Sequence, residues 1–158
     1  MPRLDPEAIA ATNRTRYPAP FDAPVAGRWY RRLTPAFGLA SLRASHVTLE
    51  PGAWSSQRHW HDDEDELLVM IAGHAVLIEG PEGEPPMRTL LGPGDTCVWA
   101  AGDGIAHHLV NEGDAPCTFV AVSAGNPDGS GGYPDIDLMF AGEDYLHKDG
   151  TLYPKRQS

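Results

Sequence analysis

Gly52-Ala-Trp-Ser-Ser-Gln-Arg-His59-Trp-His61-Asp-Asp-Glu-Asp-Glu66-Leu-Leu-Val-Met-Ile-Ala-Gly73 is the stretch that decides how this chain folds and what it can hold. In an extended strand side chains alternate between faces, so His59 and His61 point the same way and Trp60 points the other. Two imidazoles can then reach one ion. Glu66 stands five residues beyond His61, an odd separation that would place it on the wrong face of an unbroken strand. The polar run Asp62-Asp63-Glu64-Asp65 is therefore expected to be a solvated turn, with Glu66 returning on the partner strand of a hairpin, across from the histidines.

A second stretch carries the same type of chemistry: Gly94-Asp95-Thr-Cys-Val-Trp-Ala-Ala-Gly102-Asp-Gly-Ile-Ala-His107-His108-Leu-Val-Asn111. Together the two resemble the paired motifs of the cupin superfamily: a glycine, H-x-H, a carboxylate and a glycine, then G-D, a turn glycine and H-x-x-x-N. Those positions fall on Gly52, His59, His61, Glu66 and Gly73, then on Gly94, Asp95, Gly102, His107 and Asn111. The first motif is one residue longer than the common form before His59 and again before Glu66. Ala100 stands where the family has proline, and four residues rather than two separate Gly102 from His107. That spacing leaves His107 and His108 as alternatives for the last ligand, and the family register with Asn111 selects His107. His108 would then face away, at a surface or an interface.

The resemblance is nearest to small bacterial single-domain cupins, often labelled sugar-phosphate-isomerase-like. It implies an all-β fold, a double-stranded β-helix or jelly-roll barrel. It also implies one divalent metal ion held by His59, His61, Glu66 and His107. Three imidazoles and one carboxylate suit Fe, Mn, Zn, Ni, Co or Cu, and on an ion preferring six ligands they leave two positions open. The function implied is an enzyme acting on a small polar metabolite, a sugar derivative or organic acid, by isomerisation, lyase or dioxygenase chemistry. The alternative is a non-catalytic, metal-centred small-molecule binding or sensing module.

A chain of 158 residues suits one domain. Its formal net charge of -10 argues against nucleic acid and against binding an anionic membrane by charge. With no apolar leader or spanning run, the sequence reads as soluble and cytoplasmic. Cys97 and Cys117 read as buried free thiols. Residues 1–26 form an expected N-terminal arm, with a helical turn near Asp5 to Ala11, suited to packing on a partner subunit. Residues 27–124 read as the barrel, and residues 125–158 as a glycine-rich loop and a tail on it. The expected partners are a small-molecule ligand and a second copy in a homodimer, because a small sandwich has strand edges to cover.

Parity adds further expectations. Gln57 shares the face of His59, and Leu68 and Met70 share that of Glu66, which suggests an apolar pocket. Asn111 reads as a turn-stabilising residue and His74 as surface. Arg43, Arg58 and Arg88 are candidate anchors for an anionic substrate. The tail could be a strand at the sheet edge, or a flap bringing Tyr133, Tyr145, His147 and Lys148 to a ligand.

Overall fold

The computed structural model describes residues 3–34, 38–126 and 128–155. Alternation of apolar and polar residues builds a five-stranded antiparallel sheet from β1 (Arg28–Arg32), β2 (Arg43–Leu49), β4 (Glu64–Ala72), β7 (Thr96–Trp99) and β9 (Cys117–Gly125), in the order β1-β2-β9-β4-β7. Leu68 and Met70 of β4, Val47 and Leu49 of β2 and Phe119 of β9 project from its inner face and are buried. Opposite it lie β5 (Ala75–Pro81), β6 (Met87–Leu91) and β8 (Ile105–Val110), ordered β6-β5-β8. Leu77, Leu91 and Leu109 from these strands close one continuous apolar core with the first sheet. Burial of that core is the main term holding the two layers together.

A further sheet, β12-β11-β10-β3, is made of β3 (Trp60–His61), β10 (Ser130–Tyr133), β11 (Leu138–Ala141) and β12 (Asp144–Leu146). It joins β8 through backbone bridges at Trp54–Val110 and His59–His107, so these strands extend the second layer. The tail is thus sheet, and the expected glycine-rich loop contains strand β10. Its glycines serve close approach. A Cβ on Gly131 would lie 2.1 Å from the Trp60 carbonyl oxygen, and one on Gly132 would lie 2.5 Å from the Trp60 ring. Only glycine lets β10 pair with β3 here.

The arm lies on its own chain. A 3-10 turn at Pro6–Ala8 is capped by Asp5, whose carboxylate accepts from the Glu7 amide, and Thr12 then exchanges two backbone hydrogen bonds with Tyr30 of β1. Tyr17 and Val25 of the arm pack with Tyr133 and Leu138 of the tail in a second small core. Asn111 is fully buried, its amide donating to the Leu49 and Ala115 carbonyls and accepting from the Gly113 amide, the turn-fixing role its position suggested. Cys117 is a buried free thiol and Cys97 a half-buried one. His74 is exposed. No helix among the described residues is long and apolar enough to cross a membrane.

Candidate metal centre

His59 and His61 sit at the entry to and within β3, with Trp60 turned the other way, as strand alternation requires. Their Nε2 atoms are 3.1 Å apart. Glu66 arrives by a different route from the expected hairpin, because β3 and β4 do not pair. The chain crosses from one layer to the other at Asp62-Asp63 alone, while Glu64 and Asp65 already belong to β4. Glu64 is not a solvated turn residue either, since its side chain is only 10% exposed and forms an ion pair with Arg43. Strand parity cannot be carried across a change of sheet, so Glu66 faces the histidines despite its odd spacing.

One donor atom each from His59, His61 and Glu66 can be chosen so that all lie within 4.8 Å of one another. His107 is not one of that group but contacts Glu66 from β8, its Nε2 2.7 Å from Glu66 Oε2, while His61 Nε2 lies 3.7 Å from the same oxygen. The other ring nitrogens decide what these contacts mean. His59 Nδ1 lies 2.9 Å from the Gln57 carbonyl oxygen and His107 Nδ1 lies 3.0 Å from that of Ile105. A carbonyl only accepts, so both Nδ1 atoms carry the proton, and in the neutral rings each Nε2 presents a lone pair. Two lone pairs then converge with a carboxylate. Such a set is mutually repulsive by itself and is satisfied by a cation, and neighbouring ligands on ~2.1 Å metal bonds stand about 3 Å apart. The residues present fit a divalent ion.

Electrostatics agree with this fit. Burial, followed by the neighbouring His61, pushes His59 down to about 3, so its ring is neutral at ordinary pH. Burial also lowers His61, against an upward pull from Glu66. Burial alone would raise Glu66, but its close contact with His107 and the three nearby imidazoles outweigh it and hold the carboxyl down at about 2. His59 and His61 thus offer neutral imidazoles beside an ionised carboxylate, the protonation states a metal needs.

Aromatic rings fix the imidazoles. Trp99 stacks on His107 at 3.7 Å, nearly parallel, and its indole N–H donates to Glu79 at 2.9 Å. Tyr133 lies parallel to His59 at 5.7 Å and Phe140 meets His61 edge-on at 5.2 Å. Neither Trp99 nor Phe140 is marked as a site residue by sequence. Trp99 could have been found from cross-strand register, since it stands opposite Glu66. His108 points away from the cluster but is not at a surface: it is buried beneath Trp54, with Nδ1 2.9 Å from the Ser56 carbonyl oxygen.

His59, His61 and Glu66 line an open cavity of about 820 Å³, walled by the arm, β1, β2 and the tail. It is not the expected apolar pocket. Leu68 and Met70 belong to the core beneath, and Gln57 turns its amide to the Phe21 carbonyl. Of the arginines considered as anchors, only Arg43 lines this space. Arg58 is buried in a two-pronged pair with Asp135, and Arg88 pairs with Glu112 elsewhere. Tyr133 and Tyr145 line the cavity, whereas His147 and Lys148 are engaged with Asp137 and Glu82. A second opening of about 480 Å³ between β6 and β7 carries no histidine.

A two-layered all-β domain with a His-His-Glu cluster between its layers defines the class, a small β-barrel protein with a candidate metal centre. The chain belongs to the cupin superfamily: residues 45–123 match the cupin domain family. It is similar, at 34% identity over 97% of both chains and a TM-score of 0.84, to the crystal structure of a cupin-superfamily sugar phosphate isomerase from Silicibacter pomeroyi. A putative sugar phosphate isomerase from Acidithiobacillus ferrooxidans shares the fold at 21% identity, over 80% of this chain and 74% of that one, with a TM-score of 0.64. Oxalate decarboxylase from Lactobacillus farciminis shares it at 24% identity, over 68% of this chain and 31% of that one, with a TM-score of 0.53. No curated protein matches the chain.

Proposed function

We propose that this chain is a metal-dependent cupin enzyme acting on a small polar metabolite, a sugar derivative or organic acid. His59, His61, Glu66 and His107 would hold one divalent ion. The observation that carries the reading is the convergence of imidazole Nε2 atoms on the Glu66 carboxylate beside an open cavity, with the Nδ1 protons of His59 and His107 committed to carbonyls. An ion bound there supplies Lewis acidity to an oxygen of the substrate. The chain's own groups orient and shield. Gln57 and Ile105 fix the His59 and His107 tautomers, while Trp99, Tyr133 and Phe140 hold the rings in place. Burial raises the hydroxyls of Tyr17, Tyr133 and Tyr145, so these phenols stay protonated and can donate hydrogen bonds. The Silicibacter relative, described as a sugar phosphate isomerase, supports a sugar derivative as the substrate class.

The test is metal analysis of protein purified without a histidine tag, joined to oxygen-uptake and sugar-isomerisation assays of the Fe(II), Mn(II) and Zn(II) forms. About one ion per chain is expected, falling far below that in the His59→Ala, His61→Ala double variant. Full metal retention in that variant would sink the proposal.

A further inference from the structure

We infer that Arg14, Arg28 and Arg32 form a subsite for an anionic group, a phosphate ester or a carboxylate, carried by the metabolite proposed above. The inference rests on the cavity being the substrate site. Alternation along β1 puts Arg28, Tyr30 and Arg32 on one face, and all three line the cavity together with Arg14. The Arg28 and Arg32 guanidinium carbons lie 5.4 Å and 5.8 Å from the centroid of the Tyr30 ring, so the ring spaces two cations. Its hydroxyl donates to the Arg14 carbonyl at 3.1 Å, and the Thr12–Tyr30 bridge brings the arm alongside. Two guanidinium groups thus flank one phenol whose hydroxyl is held by the Arg14 backbone, and Arg14 lines the same cavity.

Charge balance shows that they are surplus. Five of the chain's ten arginines line this cavity, although the protein carries ten more acidic than basic residues. Of the four carboxylates lining it, Glu64 pairs with Arg43, Glu143 with Arg16 and Asp144 with Lys155, while Glu66 faces the imidazoles of the proposed metal centre. Arg14, Arg28 and Arg32 have no carboxylate partner among the described residues. Arg28 spends Nη1 on the Ser55 carbonyl at 2.7 Å, but its Nε is buried without a hydrogen-bond partner among those residues. Three arginines outside the cavity, Arg31, Arg58 and Arg88, each hold a carboxylate. Repelling cations in an acidic protein are satisfied by an anion from solution, and the planar guanidinium fork suits phosphate or carboxylate oxygens.

The experiment is calorimetric titration of the metal-free full chain with inorganic phosphate and, separately, succinate at low ionic strength. Melting curves of every variant check folding. The wild type should bind at least one probe in the millimolar range or tighter, and the tighter probe tells a phosphate ester from a carboxylate. Arg14→Gln and Arg32→Gln, whose side chains form no hydrogen bond or ion pair among the described residues, should each weaken binding at least about fivefold, and together at least about twentyfold. Arg28→Lys, which keeps the charge but loses Nε, should weaken it as well. Arg88→Gln should stay within about twofold. No binding by the wild type, unchanged affinity in the Arg14→Gln, Arg32→Gln double variant, or equal weakening by Arg88→Gln would overturn the inference. Metal content separates the two claims. If histidine variants keep their metal while the arginine variants lose phosphate, the metal reading fails and this one stands.

Discussion

Replacing Gly131 by alanine tests whether the tail is a working part of the site. The added Cβ would stand 2.1 Å from the Trp60 carbonyl oxygen and 2.4 Å from Phe140 Cζ, more than 1 Å inside ordinary contact, and the carbonyl belongs to the backbone. β10 must then withdraw from β3, and the pair it loses is Gly131 opposite His61. Overpacking of this kind costs ~3 kcal/mol, which in a chain of this size lowers Tm by about 6–12 °C. Gly83→Ala is the reference. Its φ of +83° strains alanine, but a Cβ there meets nothing within 4 Å, so the cost is ~1 kcal/mol of backbone strain alone. Differential scanning calorimetry reads both variants. A competition titration against a fluorescent chelator should show divalent-ion affinity down at least about tenfold in Gly131→Ala, because His61 and the rings of Tyr133 and Phe140 move with the strands. A Tm loss no larger than that of Gly83→Ala, with metal affinity intact, would refute the claim that β10 holds the histidines in place.

His107→Ala should lose stoichiometric metal, whereas His108→Ala should keep it yet cost ~2 kcal/mol, because that ring is buried with a hydrogen bond to Ser56; metal loss confined to His108→Ala would show the register of β8 to be wrong. In the metal-free protein, stability should fall as pH drops below 6.5, since the unfolded chain takes up protons that His59, held near 3, and the lowered His61 refuse. Glu66, held near 2 against 4.5, adds loss of the same sign only below 4.5, so a Tm slope between pH 6.5 and 5 that is unchanged in His59→Gln would contradict this assignment. We also propose a homodimer, whose candidate surface is the exposed Met87, Leu90 and Val98 on β6 and β7; light scattering at 17.1 kDa across micromolar concentrations would count against it.

The strand-forming segments and the four candidate donors could be read from the chain because both depend on local order: alternation at His59 and His61, and fixed offsets within a motif. The route of Glu66 could not, since parity holds only inside one sheet and Asp62-Asp63 carries the chain into another. Strand β10 was hidden for a related reason. Gly131 and Gly132 look like loop residues in sequence, and their purpose appears only with Trp60 and Phe140 against them. His108 was placed correctly by face, but what lies behind a face is a tertiary fact, here Trp54. The arginine cluster escaped notice because its members come from the arm and β1, and no local pattern links Arg14 to Arg32.

The division of labour around the cavity has a consequence for how such a protein can change. All four candidate donors lie between His59 and His107, within the segment shared with the cupin family, whereas much of the wall comes from residues before Gly27 and after Gly125. On the proposed function, part of what would select a substrate is therefore written outside the segment that carries the ligands. Substitutions in the arm and tail would then alter what is admitted while the ligand sphere stays as it is, so a barrel of this kind would acquire new substrates without first losing its metal site.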